Sequence, residues 1–284
     1  MRSTLAQVLT WLSTMAAASD VTTPIASYHH GDFSIADLKA TKNGKRITVC
    51  IPAHDEEATV GAIVETVHRE LVRDAGLVDD LLVVDDRSDD ATAVVALAAG
   101  ARIVSVPKTG GTTPWAHGKG EAMRRGLAES DGDIVVFLDG DVENFGAHFV
   151  RGLLGPVLAS SGTMLVKACY RRPFGESPTG GGRVTELVAR PLVSLLFPQL
   201  SGVVQPLAGE VAVRREALGQ IELADGYGVE LGMLIDISRR FGVGSIAQVD
   251  LDVRAHRNRP LHELAPQARD VLEIALRRAG VQIA

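Results

Sequence analysis

Two acids, Asp139 and Asp141, stand one residue apart at the end of the apolar run Ile134–Leu138. That run is β-branched and uncharged, the make-up of a buried parallel strand. Carboxylates at the end of such a strand lose solvation and repel one another unless something positive sits between them. A divalent cation with oxygen ligands, itself gripping a diphosphate, would satisfy both acids. Asp139-Gly140 is also a turn dipeptide, so a plain strand-ending turn is the competing explanation for the pair taken alone.

Two more strand ends carry similar chemistry. Ile47–Ile51 runs into Pro52-Ala53-His54-Asp55-Glu56-Glu57, and Leu81–Val84 into Asp85-Asp86-Arg87-Ser88-Asp89-Asp90. Asp55 as the N-cap of a following helix would explain the first cluster. Capping explains one or two acids of the second, but not four. No glycine-rich phosphate loop follows the first strand, so neither a dinucleotide fold nor a P-loop is supported. Phosphate charge then falls to a metal and to side chains such as Lys119.

The elements that must position these residues alternate regularly. Strands are expected at 47–51, 81–84, 102–106 and 134–138, with helices at 56–71, 90–98 and 119–129. In the first helix Val60, Ile63, Val64 and Val67 share one face. This order implies a mostly parallel sheet with right-handed crossovers and a ligand at the carboxyl ends of its strands. Later strands are expected at 164–170, 210–214 and 246–253, and helices at 184–196, 229–241 and 262–278, with a Gly- and Pro-rich loop over 173–182. Residues 20–45 read as polar and irregular. Met1–Ser19 superficially resembles a signal peptide, but Leu5, Val8, Leu9, Leu12 and Met15 fall at helical spacing, and an amphipathic helix is the preferred reading. The division expected is a lead-in at 1–45, a nucleotide-binding half at 46–145 and an acceptor-binding half at 146–284, within one α/β domain.

Composition narrows the partners. The 284-residue chain is 46% hydrophobic and only 4% aromatic, with net charge −6. An acidic chain lacks the basic surface that nucleic-acid backbone binding requires. No apolar stretch is long enough to span a membrane. Cys50 and Cys169 lie in strand-like segments and read as buried free thiols of a reducing compartment, the cytoplasm.

Taken together, Ile51-Pro-Ala-His-Asp-Glu-Glu, Val83-Val-Asp-Asp-Arg-Ser-Asp-Asp-Ala-Thr, Gly118-Lys-Gly and Leu138-Asp-Gly-Asp resemble the nucleotide-sugar glycosyltransferases of the GT-A fold. Gly180-Gly-Gly-Arg-Val-Thr-Glu, Gln205-Pro-Leu-Ala-Gly-Glu, Gly226-Tyr-Gly-Val-Glu-Leu-Gly and Arg254-Ala-His-Arg-Asn-Arg are similar to the glucosyl-3-phosphoglycerate synthases of the actinobacterial branch. That resemblance, over nearly the whole chain, implies a GT-A, Rossmann-like sheet flanked by helices. It implies transfer of glucose from UDP-glucose to the 2-hydroxyl of 3-phosphoglycerate with retention, assisted by Mg²⁺ or Mn²⁺. A homodimer and a place in methylglucose lipopolysaccharide biosynthesis come with it.

Carried onto matching positions, the resemblance places Pro52, Ala53, Glu56, Ser88 and Gly140 around the nucleotide. Asp86 would accept from the base, and Lys119 would reach the diphosphate. Asp139 would contact ribose or metal, with Asp141 the main metal ligand and Leu207 facing the reacting carbon through its carbonyl. Gly182, Arg183, Thr185, Arg254, Asn258 and Arg259 would meet the acceptor.

The residues add physical reasons of their own. Three consecutive glycines let backbone N–H groups approach an anion, and Arg183 and Thr185 follow at a helix start, itself an anion site; a mobile surface loop is the alternative. His256, just past an apolar strand, suits a third metal ligand for Mn²⁺. Glu230 would be a general base in an inverting enzyme; in a retaining one it would hold hydroxyls, with Tyr227 nearby. A polyprenyl-phosphate sugar synthase, a mannosyl-3-phosphoglycerate synthase or a non-catalytic sugar-nucleotide module are the competing readings.

Overall fold

The computed structural model describes residues 24–106, 118–174, 177–255 and 260–282. Met1–Ser19 lies outside them. The described part of the lead-in, expected to be irregular, holds strand β1 (Ala26–His29) and helix α1 (Ile35–Lys42), the latter capped by the Ser34 hydroxyl on the Asp37 amide. Partners distant in sequence explain the difference, since β1 lies parallel beside a strand more than 200 residues away, pairing Ala26 with Ala247.

The expected alternation follows as β2 (Ile47–Ala53), α2 (Val60–Thr66), β3 (Asp80–Asp85), α3 (Thr92–Ala98), β4 (Arg102–Ser105), α4 (Lys119–Ala128) and β5 (Ile134–Phe137). A π-helical segment, Val67–Asp74, continues α2. The helix starts later than expected. Asp55 is not its N-cap but adopts a left-handed backbone, φ 55°, and accepts from the Asp89 amide. Position Thr59 carries the N-terminal boundary without a side-chain cap.

The second half begins with α5 (His148–Ala159), a helix buried nearly all round, and continues with β6 (Leu165–Arg171). The segment expected as a loop contains a short antiparallel hairpin, β7 (Pro173–Phe174) with β8 (Ser177–Gly180). A π-helical turn, Thr185–Ala189, leads into α6 (Arg190–Leu196). Then come β9 (Val211–Arg214), α7 (Arg215–Leu218), α8 (Val229–Phe241), β10 (Ile246–Val253) and α9 (Leu261–Arg278).

Eight strands form one sheet in the order β1-β10-β6-β9-β5-β2-β3-β4. Only β9 runs antiparallel, between β5 and β6. Side chains alternate between two cores with period two. Ile134 and Val136 enter one core with α2 and α5, while Val135 and Phe137 enter the other with α4 and α8. The four helix residues expected on one face of 56–71, Val60, Ile63, Val64 and Val67, are all fully buried. Cys50 is buried, but Cys169 is only half-buried. No helix among the described residues is long and apolar enough to cross a membrane.

Candidate active site

Because β2, β3 and β5 are adjacent and parallel, their carboxyl ends open onto one face. A cavity of about 280 Å³ lies there. From β2 and its exit come Pro52, Ala53 and Glu56; from β3, Asp86; from the β5 exit, Asp139, Gly140 and Asp141. Gly182, Arg183 and Thr185 close another side, and Leu207, Tyr227, Glu230 and Arg254 complete the predicted lining. Ser88 does not join them. Its hydroxyl accepts from the Asp55 amide while its own amide donates to Asp85. His256, Asn258 and Arg259 lie outside the described residues.

Asp55, Glu57 and Asp90 therefore brace the two loops against each other. Asp90 accepts from the Glu57 and Thr92 amides, and Glu57 accepts from Ala91. Asp86 alone of the β3 acids lines the cavity. Burial raises its pKa, against the pull of the Arg87 guanidinium 2.5 Å away.

Lys119 stands at the start of α4, flanked by glycines for a steric reason. Gly118 has φ 99°, and a methyl group on Gly120 would overlap the Ala224 carbonyl oxygen. The lysine ammonium bridges Asp139 and Glu230, the latter at 2.6 Å. Burial works against its charge, but Asp139 and then Glu230 outweigh it and raise the lysine pKa. In return, Lys119 and then Arg254 overcome burial and hold Asp139 well below the usual carboxylate range.

Arg254, for which an acceptor contact was expected, is paired with three acids. Its side chain is 2% exposed, with Nη2 at 2.8 Å from Asp139 and 2.7 Å from Asp141, and Nε at 2.7 Å from Glu210. The guanidinium sits where the two strand-end acids most need positive charge. Two carboxylates so placed form an oxygen donor set that fits a hard divalent cation. Asp139 and Asp141 would hold it.

Several lining residues carried no sequence expectation. Arg172 donates to the Tyr170 hydroxyl at 2.8 Å, which donates to Glu210 at 2.7 Å. His54 also faces the cavity, its Nδ1 2.7 Å from the Asp86 carbonyl oxygen. Leu264, Gln267 and Val271 of α9 form a further flank. Glu210 belonged to a quoted motif, yet only the pairing of β6, β9 and β10 reveals its partners. Of the three glycine amides expected to cradle an anion, that of Gly181 is spent on the Arg172 carbonyl at 3.1 Å.

A second cluster has metal-like spacing but the wrong protons. His29, His30 and Asp252 place ligand atoms within 4.8 Å of one another. The Gly31 amide donates to His29 Nδ1, and Arg151 Nη2 is 3.3 Å from His30 Nδ1, so both neutral rings carry their proton on Nε2. Those protons point at Asp252, so in these tautomers neither imidazole turns a lone pair toward a shared cation. The cluster clasps β1 to β10.

Comparison with known proteins follows the same lines. The family model described as "Glycosyl transferase family 2" matches residues 48–171. The chain is 48% identical over 262 residues to the glucosyl-3-phosphoglycerate synthase of Mycolicibacterium paratuberculosis, covering 90% of this chain and 79% of that protein. The crystal structure of the Mycobacterium tuberculosis enzyme with Mn²⁺, UDP-glucose and phosphoglyceric acid superposes with a TM-score of 0.83 at 46% identity, covering 92% of this chain and 89% of that one. The same enzyme crystallised with Mg²⁺ and UDP gives a TM-score of 0.83 at 46% identity, covering 92% and 88%.

Proposed function

The chain belongs to the glucosyl-3-phosphoglycerate synthases, and from that premise we propose that it moves glucose from UDP-glucose to the 2-hydroxyl of 3-phosphoglycerate. The observation that carries this reading is Lys119 held between Asp139 and Glu230 in a cavity that also presents Asp86, Asp141 and Arg183. One pocket thus offers a base acceptor, a metal pair, a diphosphate cation and an anion-binding arginine.

Charge explains how the parts divide the work. Four cationic side chains, Lys119, Lys167, Arg172 and Arg254, interact with four carboxylates, Asp139, Asp141, Glu210 and Glu230. The group closes near neutrality, so the negative charge of an incoming diphosphate needs a further cation. Mg²⁺ or Mn²⁺ on Asp141 and Asp139, with His256 as third ligand, supplies that charge when bound. Asp86 accepts from the uracil N3–H, flanked by Pro52, Ala53, Glu56 and Gly140. Lys119 reaches the diphosphate, and Tyr227 and Leu207 border the glucose. Arg183, Thr185 and Gly182, with Asn258 and Arg259, receive phosphoglycerate.

The transfer retains configuration. Glu230 is paired with Lys119 and 6% exposed, which suits holding charge and sugar hydroxyls better than removing a proton. The acceptor oxygen attacks C1 from the face of the leaving group, C1 parts from the β-phosphate oxygen, and the hydroxyl proton passes to that oxygen. Lys119 stabilises the charge that develops. The 46–145 half holds the nucleotide and the 146–284 half the acceptor. The enzyme works in the cytoplasm as a homodimer and serves methylglucose lipopolysaccharide biosynthesis; exposed Leu187, Leu195 and Leu261 on neighbouring elements support a self-association face.

Release of UDP from UDP-glucose with 3-phosphoglycerate, but not with a polyprenyl phosphate, is the expected result. Turnover with the lipid acceptor, or with GDP-mannose in preference, would replace this reading. An α-linked product by proton NMR coupling supports retention; a β-linked one makes Glu230 a general base.

A further inference from the structure

Lys167 lies on β6, fully buried, and apart from its share in the charge balance of the site it has been given no task. Its Nζ donates to the Ala208 carbonyl at 2.7 Å. A buried ammonium is costly, and an apolar side chain of similar length would fill the same space without that cost. Burial indeed pushes this lysine down to about 8, although Glu230 pulls the other way. What it touches explains why a lysine is there.

Ala208 belongs to the turn Gln205–Gly209, which links the cavity wall to the cavity floor. Leu207 lines the cavity. Gly209 packs so tightly that a methyl group there would overlap Asp139 Oδ1 and Lys119 Nζ. The turn is pinned at three places. The Ala208 amide donates to the Gln205 carbonyl at 3.1 Å. The Gln205 side chain donates to the Tyr170 carbonyl at 2.5 Å. Of the three pins, Lys167 is the one that holds the Ala208 carbonyl.

The geometry points to Lys167 as a positioning residue: its hydrogen bond to the Ala208 carbonyl fixes the turn that sets Leu207 against the sugar and seats Gly209 under the Lys119–Asp139 pair. A small shift of that turn moves a cavity wall and loosens the lysine that faces the diphosphate, and misplacements of this size are costly in rate. The base-binding end, at Asp86, is on a different strand and is left alone.

The kinetic half of this inference rests on the proposed transfer, so the test includes a readout that needs no turnover. Lys167→Met leaves an unbranched chain one atom shorter and removes the donor; Lys167→Gln keeps a donor at that same reach. The Met variant is expected to lose at least tenfold in kcat with KM for UDP-glucose within threefold, and the Gln variant to regain most of the rate. Hydrogen exchange of the 205–210 backbone is expected to quicken about tenfold in the Met variant and not in the Gln variant. Unchanged exchange in the Met variant overturns the inference whatever the activity. So does a Gln variant that folds but gains nothing over Met. If the Met variant does not fold, the Gln variant decides: wild-type exchange and kcat support the role, and loss of either overturns it. An inactive wild type would count against the proposed reaction, and the exchange data would still decide the role of Lys167.

Discussion

The two halves of the sheet handle charge in opposite ways. At the ends of β2 and β3, acids stand at the margin of the fold, and Asp55, Glu57 and Asp90 are satisfied by backbone amides of the neighbouring loop. Around β6, β9 and β10, charged side chains lie inside: Lys167 and Glu210 are fully buried and Arg254 nearly so. The first arrangement costs little and can meet ligand at a solvent-facing edge. The second is stable only as a matched set, because each ion is desolvated and must find its partner. The cavity sits on the seam, with Asp139 bonded to Lys119 on one side and Arg254 on the other.

Breaking the interior set is expected to have the largest effect. Arg254→Met removes the guanidinium shared by Glu210, Asp139 and Asp141, and should cost about 3–5 kcal/mol of stability by urea unfolding. A loss under 1 kcal/mol would mean that the interior is no more demanding than the edge. At the seam, Asp141→Ala should lower kcat at least hundredfold, about 2.7 kcal/mol of barrier, with little change in thermal midpoint. Near-normal turnover would remove Asp141 from the metal site.

At the edge, Asp86→Ala should weaken UDP binding about tenfold, roughly 1.4 kcal/mol by calorimetry, while leaving kcat largely intact. Acid separates the regions in the same way. Burial raises the Asp86 pKa, whereas Lys119 and Arg254 hold Asp139 below the ordinary range. As pH falls from neutrality, KM for UDP-glucose should rise before the Lys119–Asp139 pair is touched. The stability that Asp139 contributes is fully present above the unfolded carboxylate pKa and is lost only as pH drops through its depressed folded value. A stability loss that precedes the rise in KM would reverse this order. Ser88→Ala should have the smallest effect, kinetics within twofold, since its hydroxyl only receives the Asp55 amide.

The parallel strands of the first half were legible because their signals are local. An apolar run, a strand-end acid and a helix start lie within a dozen residues, and Lys119, Asp139 and Asp141, which line the cavity, were singled out that way. Glu210, Tyr170 and Arg172 were not assigned roles, since a charged residue in a strand-like segment reads the same whether it faces water or a buried partner. Asp55 and Ser88 were misplaced for a related reason. Cap-forming and loop-bracing residues share one composition, and only the partner loop distinguishes them.

By itself the sequence determined the α/β alternation, the strand-end chemistry and, through its motifs, the family, because periodicity and short spacings need no tertiary contact to be read. Tertiary structure alone decided that β9 runs antiparallel between β5 and β6, that Arg254 fills the space between three acids, and that Lys167 supports the Leu207 turn. Those contacts join residues 41–115 positions apart. Their energies depend on burial and mutual geometry, which exist only once the sheet has assembled.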